Sequence, residues 1–165
     1  MTRWLTPEER AAWLRFSAVL ELLPAALNAQ LWRDEDLTHF DYFTLAMLSE
    51  APDRLLRMSA LAERTSATLP RLSRVVSRLE ARGFIARVPC PSDGRATNAV
   101  LTDAGWAKVV HAAPGHVTTV RESVFDPLGP EQVGQLSQIC DQLLARLDPD
   151  GRMFARSDGA AKPGA

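Results

Sequence analysis

The chain has 165 residues, 46% of them hydrophobic, and a formal net charge of −1 at pH 7. That length suits one domain, or one domain with an extension, and the apolar content is enough for a packed core. No run of about 18 or more apolar residues occurs, which excludes a membrane-spanning helix, and two cysteines, Cys90 and Cys140, are too few for a disulfide framework. The first residues, from Met1 to Leu20, lack a basic stretch followed by an apolar block, so no signal peptide is expected and a cytoplasmic location is.

Thr6-Pro7-Glu8-Glu9 opens the first helix: Thr6 caps, proline suits the first helical position, and Glu9 closes a capping box. Trp13, Phe16, Leu20, Leu23, Leu27 and Leu31 keep helical spacing to about Arg33, with Pro24 expected to interrupt and kink the run. Leu14, Leu22 and Ala26 widen the apolar surface, so this helix needs more than one neighbour, and a second subunit is one candidate. Thr38, with Asp41 three positions on, starts a second helix carrying Phe40, Phe43, Leu45, Met47 and Leu48 and ending before Pro52. A short extended stretch, 54–58, leads to Ser59 as cap of a brief helix over 60–64.

After the turn Thr65-Ser66-Ala67, Thr68 caps a helix reaching Arg82, with Gly83 in the left-handed position beyond it. Leu69, Leu72, Val76 and Leu79 recur on one face of this helix, and Arg71, Arg74 and Arg78 recur on another. The two faces lie about 200° apart at about 100° per residue. One side can dock on a core while the other presents guanidinium groups, whose flat fork of donors suits guanine edges and phosphates. Phe84–Val88 and Ala99–Leu101 read as paired strands, with Asp93-Gly94 supplying the turn. Asp103 caps the next helix, which runs through Trp106 and Val109 toward Phe125 with a break expected at Pro114-Gly115. Val133, Leu136, Ile139, Leu143 and Leu147 mark a last amphipathic helix, and 151–165 reads as a loose, disordered tail.

The charge is unevenly placed. From Arg54 to Arg95 there are nine arginines and three acids, a local charge of +6; the remainder carries −7. A basic module between acidic flanks, with a basic helix followed by a basic hairpin, is the layout of a winged helix-turn-helix DNA reader. The fold expected is mainly α with a small β-hairpin wing: a winged helix-turn-helix with N- and C-terminal dimerisation helices. The divisions are 1–37 for the N-terminal dimerisation helix, 38–105 for the DNA-binding domain and 106–150 for the C-terminal dimerisation helices.

Leu61-Ala62, Arg74, Arg78-Leu79-Glu80-Ala81-Arg82-Gly83, Asp93-Gly94-Arg95 and Leu101-Thr102-Asp103-Ala104-Gly105 together resemble the MarR family of bacterial transcription regulators. The aspartate-x-arginine of the wing, followed by leucine-threonine and a glycine, is the most specific part, and the match spans about Thr38 to Gly105. The resemblance implies a homodimer held by the N-terminal and last two helices. It also implies a sequence-specific DNA-binding transcription regulator: a ligand-responsive repressor on a near-palindromic operator.

On that reading the helix over 68–82 enters the major groove. Arg71 and Arg74 are the base-edge candidates, with Ser73 and Ser77 beside them and Thr68 at the helix start. Ser66 and Thr68 can donate to phosphate, helped by the helix N-terminus; Arg78, farther along, and Arg87 on the hairpin are phosphate candidates. Arg95 resembles the family arginine that enters the minor groove, where a narrow groove attracts cations. Asp93 resembles the wing aspartate that orients it by an ion pair. Family members bind small, often aromatic, effectors between the dimerisation and DNA-binding parts. Trp13, His39, Phe43 and Trp106 are candidate wall residues here, although each also reads as ordinary core.

No cofactor and no metal is expected: His111 and His116 are five apart, a poor same-face spacing. Redox sensing through Cys90 is a minor alternative. An enzyme is not expected, because no phosphate-cradling glycine loop, zinc-protease pair or nucleophile elbow is present. The remaining alternative is a winged-helix protein-interaction module without DNA binding. The expected partners are double-stranded DNA, a second copy of the chain and a small aromatic effector, with no membrane.

Overall fold

A computed structural model describes residues 1–153. Six helices and three strands follow one another as α1 (Pro7–Glu35), α2 (His39–Ser49), β1 (Leu55–Arg57), α3 (Met58–Arg64), α4 (Leu69–Ala81), β2 (Ile85–Cys90), β3 (Asp93–Leu101), α5 (Asp103–Val120) and α6 (Pro130–Leu147). A 3₁₀ turn, Pro52–Arg54, precedes β1, and a π-helical turn, Arg121–Phe125, follows α5. The expected fold class, mainly helical with a small β wing, is what the chain adopts. The tail expected to be loose lies, from position 154 on, outside the described residues.

The helix starts follow local chemistry. Thr6 Oγ1 accepts from the Glu9 N–H at 3.2 Å while Glu9 Oε2 accepts from the Thr6 N–H at 2.8 Å. Thr38 and Asp41 form the same reciprocal box at 3.0 and 2.9 Å. Both satisfy donors that a helix start otherwise leaves unpaired. Two other starts shift, one by two residues and one by a single residue. Arg57, not Ser59, holds the cap position of α3. Thr102, not Asp103, caps α5, its Oγ1 accepting from the Gly105 N–H at 3.0 Å.

Neither internal proline divides its helix: α1 continues through Pro24 and α5 through Pro114-Gly115. Each proline removes one helical hydrogen bond, and the bonds on either side carry the helix across. The wing also departs from expectation. The chain reverses at Pro91-Ser92, and Asp93-Gly94 already belong to β3.

The sheet has the order β1-β3-β2, antiparallel throughout, with Arg57 opposite Asn98 and Ile85 opposite Leu101. Its register is interrupted between Pro89 and Cys90, the kind of irregularity that bends a strand. The core joins the lower end of α1 to the winged domain through Leu31, Leu37, Leu45, Leu48, Leu61, Leu72, Val76, Leu79, Ile85 and Leu101, with Val109 and Ala112 of α5 closing it. Leu69 is a correction. It is 49% exposed because it opens α4 ahead of the core, and Val75 takes the fourth place on the buried face.

The outer helices bury little within the chain. α1 buries only Leu27, Gln30, Leu31 and Glu35, all near its C-terminal end. Trp13, Leu14, Phe16, Val19, Leu20 and Leu22 stay exposed on the rest of it. Among the described residues α6 buries none of its side chains, and Ile139, Leu143 and Leu147 are all exposed. Helices with apolar stripes that find no cover in their own chain mark a surface meant for another.

Candidate nucleic-acid interface

Helix α4 carries the candidate reading surface. Leu72, Val75, Val76 and Leu79 anchor it, so Arg71, Arg74, Ser77 and Arg78 face outward. Thr68 stands at the cap position but makes no side-chain capping bond, which leaves its hydroxyl available. Ser66, two residues earlier, is exposed with φ +49°. Arg95 is exposed on the wing at the start of β3.

The three arginines of α4, and Arg82 that caps its C-terminal end, differ in what holds them. Arg74 is exposed and joins no ion pair among the described residues. Arg71 lays its guanidinium over the Phe40 ring, 4.3 Å from the centroid, a cation–π contact that pre-orders a long side chain. Arg78 pairs with Asp41, a carboxylate only 2% exposed at the start of α2. Arg82 donates from Nη1 to the Asp36 carbonyl at 2.7 Å and lies 3.4 Å from the Asp36 carboxylate. Asp36 ends α1 in the left-handed conformation, at φ 52°. The helix is thus moored to the α1–α2 junction by its two C-terminal arginines, leaving the N-terminal two for other work.

Arg87 is fastened too. Its guanidinium donates to Glu80 Oε2 at 3.0 Å, to the Ser73 carbonyl at 2.8 Å and to Ser77 Oγ at 2.9 Å, and its backbone N–H donates to Glu80 Oε1 at 3.1 Å. It ties β2 to α4. This changes the reading of three residues. Arg87, a phosphate candidate in the sequence, here spends guanidinium donors on Glu80, Ser73 and Ser77. Ser73 and Ser77 share their hydroxyls with it instead of standing open to a base. The pairing of Asp93 also differs from expectation. One oxygen is held by Arg57, and the other accepts from the Arg95 backbone N–H at 3.2 Å. Asp93 shapes the backbone at Arg95, and its ion pair is with Arg57 and not with the Arg95 guanidinium.

Arg57 was visible in the sequence only as one of nine clustered arginines. Its partner lies 36 residues away, and no local spacing announces it. Asp41 likewise shows in the sequence as a capping residue and not as the anchor of Arg78, 37 residues on.

The candidate effector wall does not assemble. Trp13 is 54% exposed on α1 beside Phe16. Trp106 lies under the Arg54 guanidinium at 4.2 Å. Only His39 and Phe43 adjoin, with ring centroids 6.4 Å apart. They continue into His116 and Tyr42, which bring α5 against α2 at 6.2 and 4.6 Å. Burial lowers the pKa of both histidines, and His39 lowers His116 further by charge repulsion. A separate tie joins α1 to α5: Lys108 Nζ donates to the buried Glu35 at 2.7 Å, and His111 Nδ1 lies 3.1 Å from both Glu35 oxygens. Burial alone would raise the Glu35 pKa, but these partners outweigh it and hold the carboxyl below its ordinary value.

A buried apolar stripe under an arginine face, followed by a wing that carries a further arginine, is the geometry of a duplex-reading head. A model of the MarR family matches residues 36–96. The structure of Sco3205, a MarR family transcriptional regulator from Streptomyces coelicolor in complex with DNA, superposes with a TM-score of 0.86 at 43% identity, covering 90% of this chain and 93% of that one. The chain belongs to the MarR family.

AbsC, a MarR family transcriptional regulator from the same organism, is 36% identical with a TM-score of 0.84, covering 90% of this chain and 99% of that one. A mutant MarR from E. coli complexed with operator DNA is 22% identical with a TM-score of 0.73, covering 86% of this chain and 99% of that one; at that identity it speaks for the fold alone. The MarR match by sequence lies between the α1–α2 junction and the wing, whereas the structural matches take in the outer helices as well. Among the described residues no helix is long and apolar enough to cross a membrane.

Proposed function

We propose that this MarR family member is a homodimeric, sequence-specific DNA-binding repressor that responds to a small aromatic effector and performs no catalytic step. The observation that carries the reading is α4 itself: Arg71 and Arg74 stand outward while Leu72, Val76 and Leu79 are fully buried behind them. Arg71 and Arg74 are assigned to base edges in the major groove, with Thr68 beside them and Ser66 on phosphate. Arg95 enters the minor groove. Arg78 and Arg87, both tied to carboxylates, are assigned to holding the reading head, and Ser73 and Ser77 serve it through Arg87.

The uncovered faces of α1 and α6 support a homodimer built from 1–37 and 106–150, which places the acidic flanks away from DNA. Two reading heads related by a two-fold axis call for a near-palindromic operator, its half-sites about one helical turn apart. An effector wall is assigned to His39 and Phe43, where α2 meets α5.

The test is selection of duplexes from a randomised pool by the purified protein, followed by titration against salt. An inverted repeat should emerge, with affinity falling steeply as salt rises. Arg71→Ala and Arg74→Ala should each relax the preference at one position of each half-site, at a cost of about 1–3 kcal/mol. Failure to select any sequence would remove the DNA-reading assignment and favour a winged-helix module for protein contacts.

A further inference from the structure

We infer that Arg57 is a positioning residue for the wing: it holds Asp93, and through Asp93 it sets where Arg95 meets DNA. The inference rests on the DNA-reading assignment above.

The geometry begins with the sheet. Arg57 ends β1 and sits opposite Asn98 of β3. Asp93 lies five positions back along β3 from Asn98, about 16 Å away on a straight strand. That is farther than one arginine side chain extends, yet the Arg57 guanidinium grips the Asp93 carboxylate. The wing is therefore bent back over the end of β1. The sheet register shows where it bends: Pro89 faces Thr97 but the next residue, Cys90, faces Asp93, so Gly94, Arg95 and Ala96 of β3 bulge out of the ladder, and the ion pair closes the bend.

The surroundings explain why a carboxylate is needed there. Arg57, Arg87 and Arg95 line one cavity of about 470 Å³ between the wing, the start of α3 and α4, and among the described residues Asp93 is the single acid on its wall. Three guanidinium groups around one space repel each other. With Asp93 held by Arg57 on one oxygen and capping the Arg95 N–H with the other, the Arg95 backbone is fixed while its side chain is left unpaired by that carboxylate. Beyond Pro89 and Thr97 the wing tip has only the Cys90–Asp93 pairing, and so short a two-stranded tip is otherwise weakly restrained. Arg57 is itself half exposed and faces the same cavity, so a direct phosphate contact is the competing role, and the two roles predict different couplings.

The experiment uses the full chain and a duplex that the wild type selects from a randomised pool. Arg57→Ala and Asp93→Ala should each weaken binding by about tenfold, the scale of one well-placed contact. The Arg57→Ala/Asp93→Ala double variant should be no weaker than either single one. Hydroxyl-radical footprints should lose protection only at the outer minor-groove positions, with the α4 contacts kept. The exchanged pair, Arg57→Asp with Asp93→Arg, should recover most of that protection. In the free protein, ¹⁵N relaxation of the Gly94 amide should show greater mobility in Arg57→Ala than in wild type. A double variant that is weaker by the product of the two single losses would overturn the inference and make Arg57 a phosphate ligand. An Arg57→Ala protein with a wild-type footprint and an unchanged Gly94 amide would overturn it as well. If the wild type selects no duplex, it is the DNA-reading assignment that fails, and the Gly94 mobility still decides whether Arg57 holds the wing.

Discussion

Arg78→Ala separates mooring from reading. Asp41 is 2% exposed and divides its oxygens between the Arg78 guanidinium and the Thr38 backbone N–H. Removing one partner of a fully buried ion pair costs about 3–5 kcal/mol. Two features reduce that here. The Arg78 side chain is 51% exposed, so solvent already screens the pair, and truncating it lets water reach the freed oxygen. The capping bond from Thr38 survives. The expected loss is about 1–2 kcal/mol, which for a domain of this size lowers the melting temperature by about 2–8 °C. Arg74→Ala removes an exposed cation that joins no ion pair among the described residues and should stay within about 0.5 kcal/mol of wild type.

The assay pairs thermal and urea melts at one fixed protein concentration, because a dimer's stability depends on it, with fluorescence anisotropy on the selected duplex. Arg78→Ala should melt early with an unchanged urea m-value. Arg74→Ala should melt with the wild type and bind more weakly by about tenfold. If Arg78→Ala melts with the wild type and loses DNA binding, the mooring argument is wrong and Arg78 is a phosphate contact after all.

Three further outcomes are expected. A Cβ at Gly105 would lie 2.1 Å from the Phe84 carbonyl oxygen and 2.6 Å from Leu101 Cδ1. That carbonyl is pinned by the Thr102 N–H at 3.1 Å, so Gly105→Ala should cost about 1–3 kcal/mol or more in a denaturant melt, and a neutral result would mean that α5 can slide off the sheet. Leu143→Glu on α6 should shift the protein from dimer to monomer in analytical ultracentrifugation; an unchanged sedimentation coefficient would place the interface elsewhere. Because burial lowers the pKa of His39 and His116, the unfolded chain takes up protons below about pH 6.5 while the folded one resists. Their contribution is therefore intact above that pH and is lost as pH falls toward the folded values. His116→Phe should flatten the decline in melting temperature between about pH 7 and 5, and a slope identical to wild type would show that the His116 imidazole is not held neutral.

The sequence by itself determined what depends on neighbours a few residues apart. Both capping boxes, the left-handed Gly83, the outward Arg71-Arg74-Arg78 stripe and three of the four members of the Leu69-Leu72-Val76-Leu79 stripe follow from helical period and backbone chemistry and are kept in the structure, with Leu69 alone exposed. The wing motif and the leucine-threonine that follows it placed the hairpin, although the reversal falls two residues earlier than the Asp-Gly pair suggested.

What the tertiary structure decided is which of the nine arginines are free. Arg57 meets Asp93 across 36 residues, Arg78 meets Asp41 across 37, and Glu35 meets Lys108 across 73. A guanidinium on a helix face looks the same in sequence whether it faces water or a buried carboxylate. Its partner is chosen by packing of the helices and by the bend of the wing, and neither leaves a period or a spacing to read. The same holds for the aromatic wall. Trp13, His39, Phe43 and Trp106 are all aromatic on paper; His39 and Phe43 adjoin because they stand four apart on α2, and the docking of α5 decides the rest, setting His116 against His39 while Trp13 stays on an open face and Trp106 lies beneath Arg54.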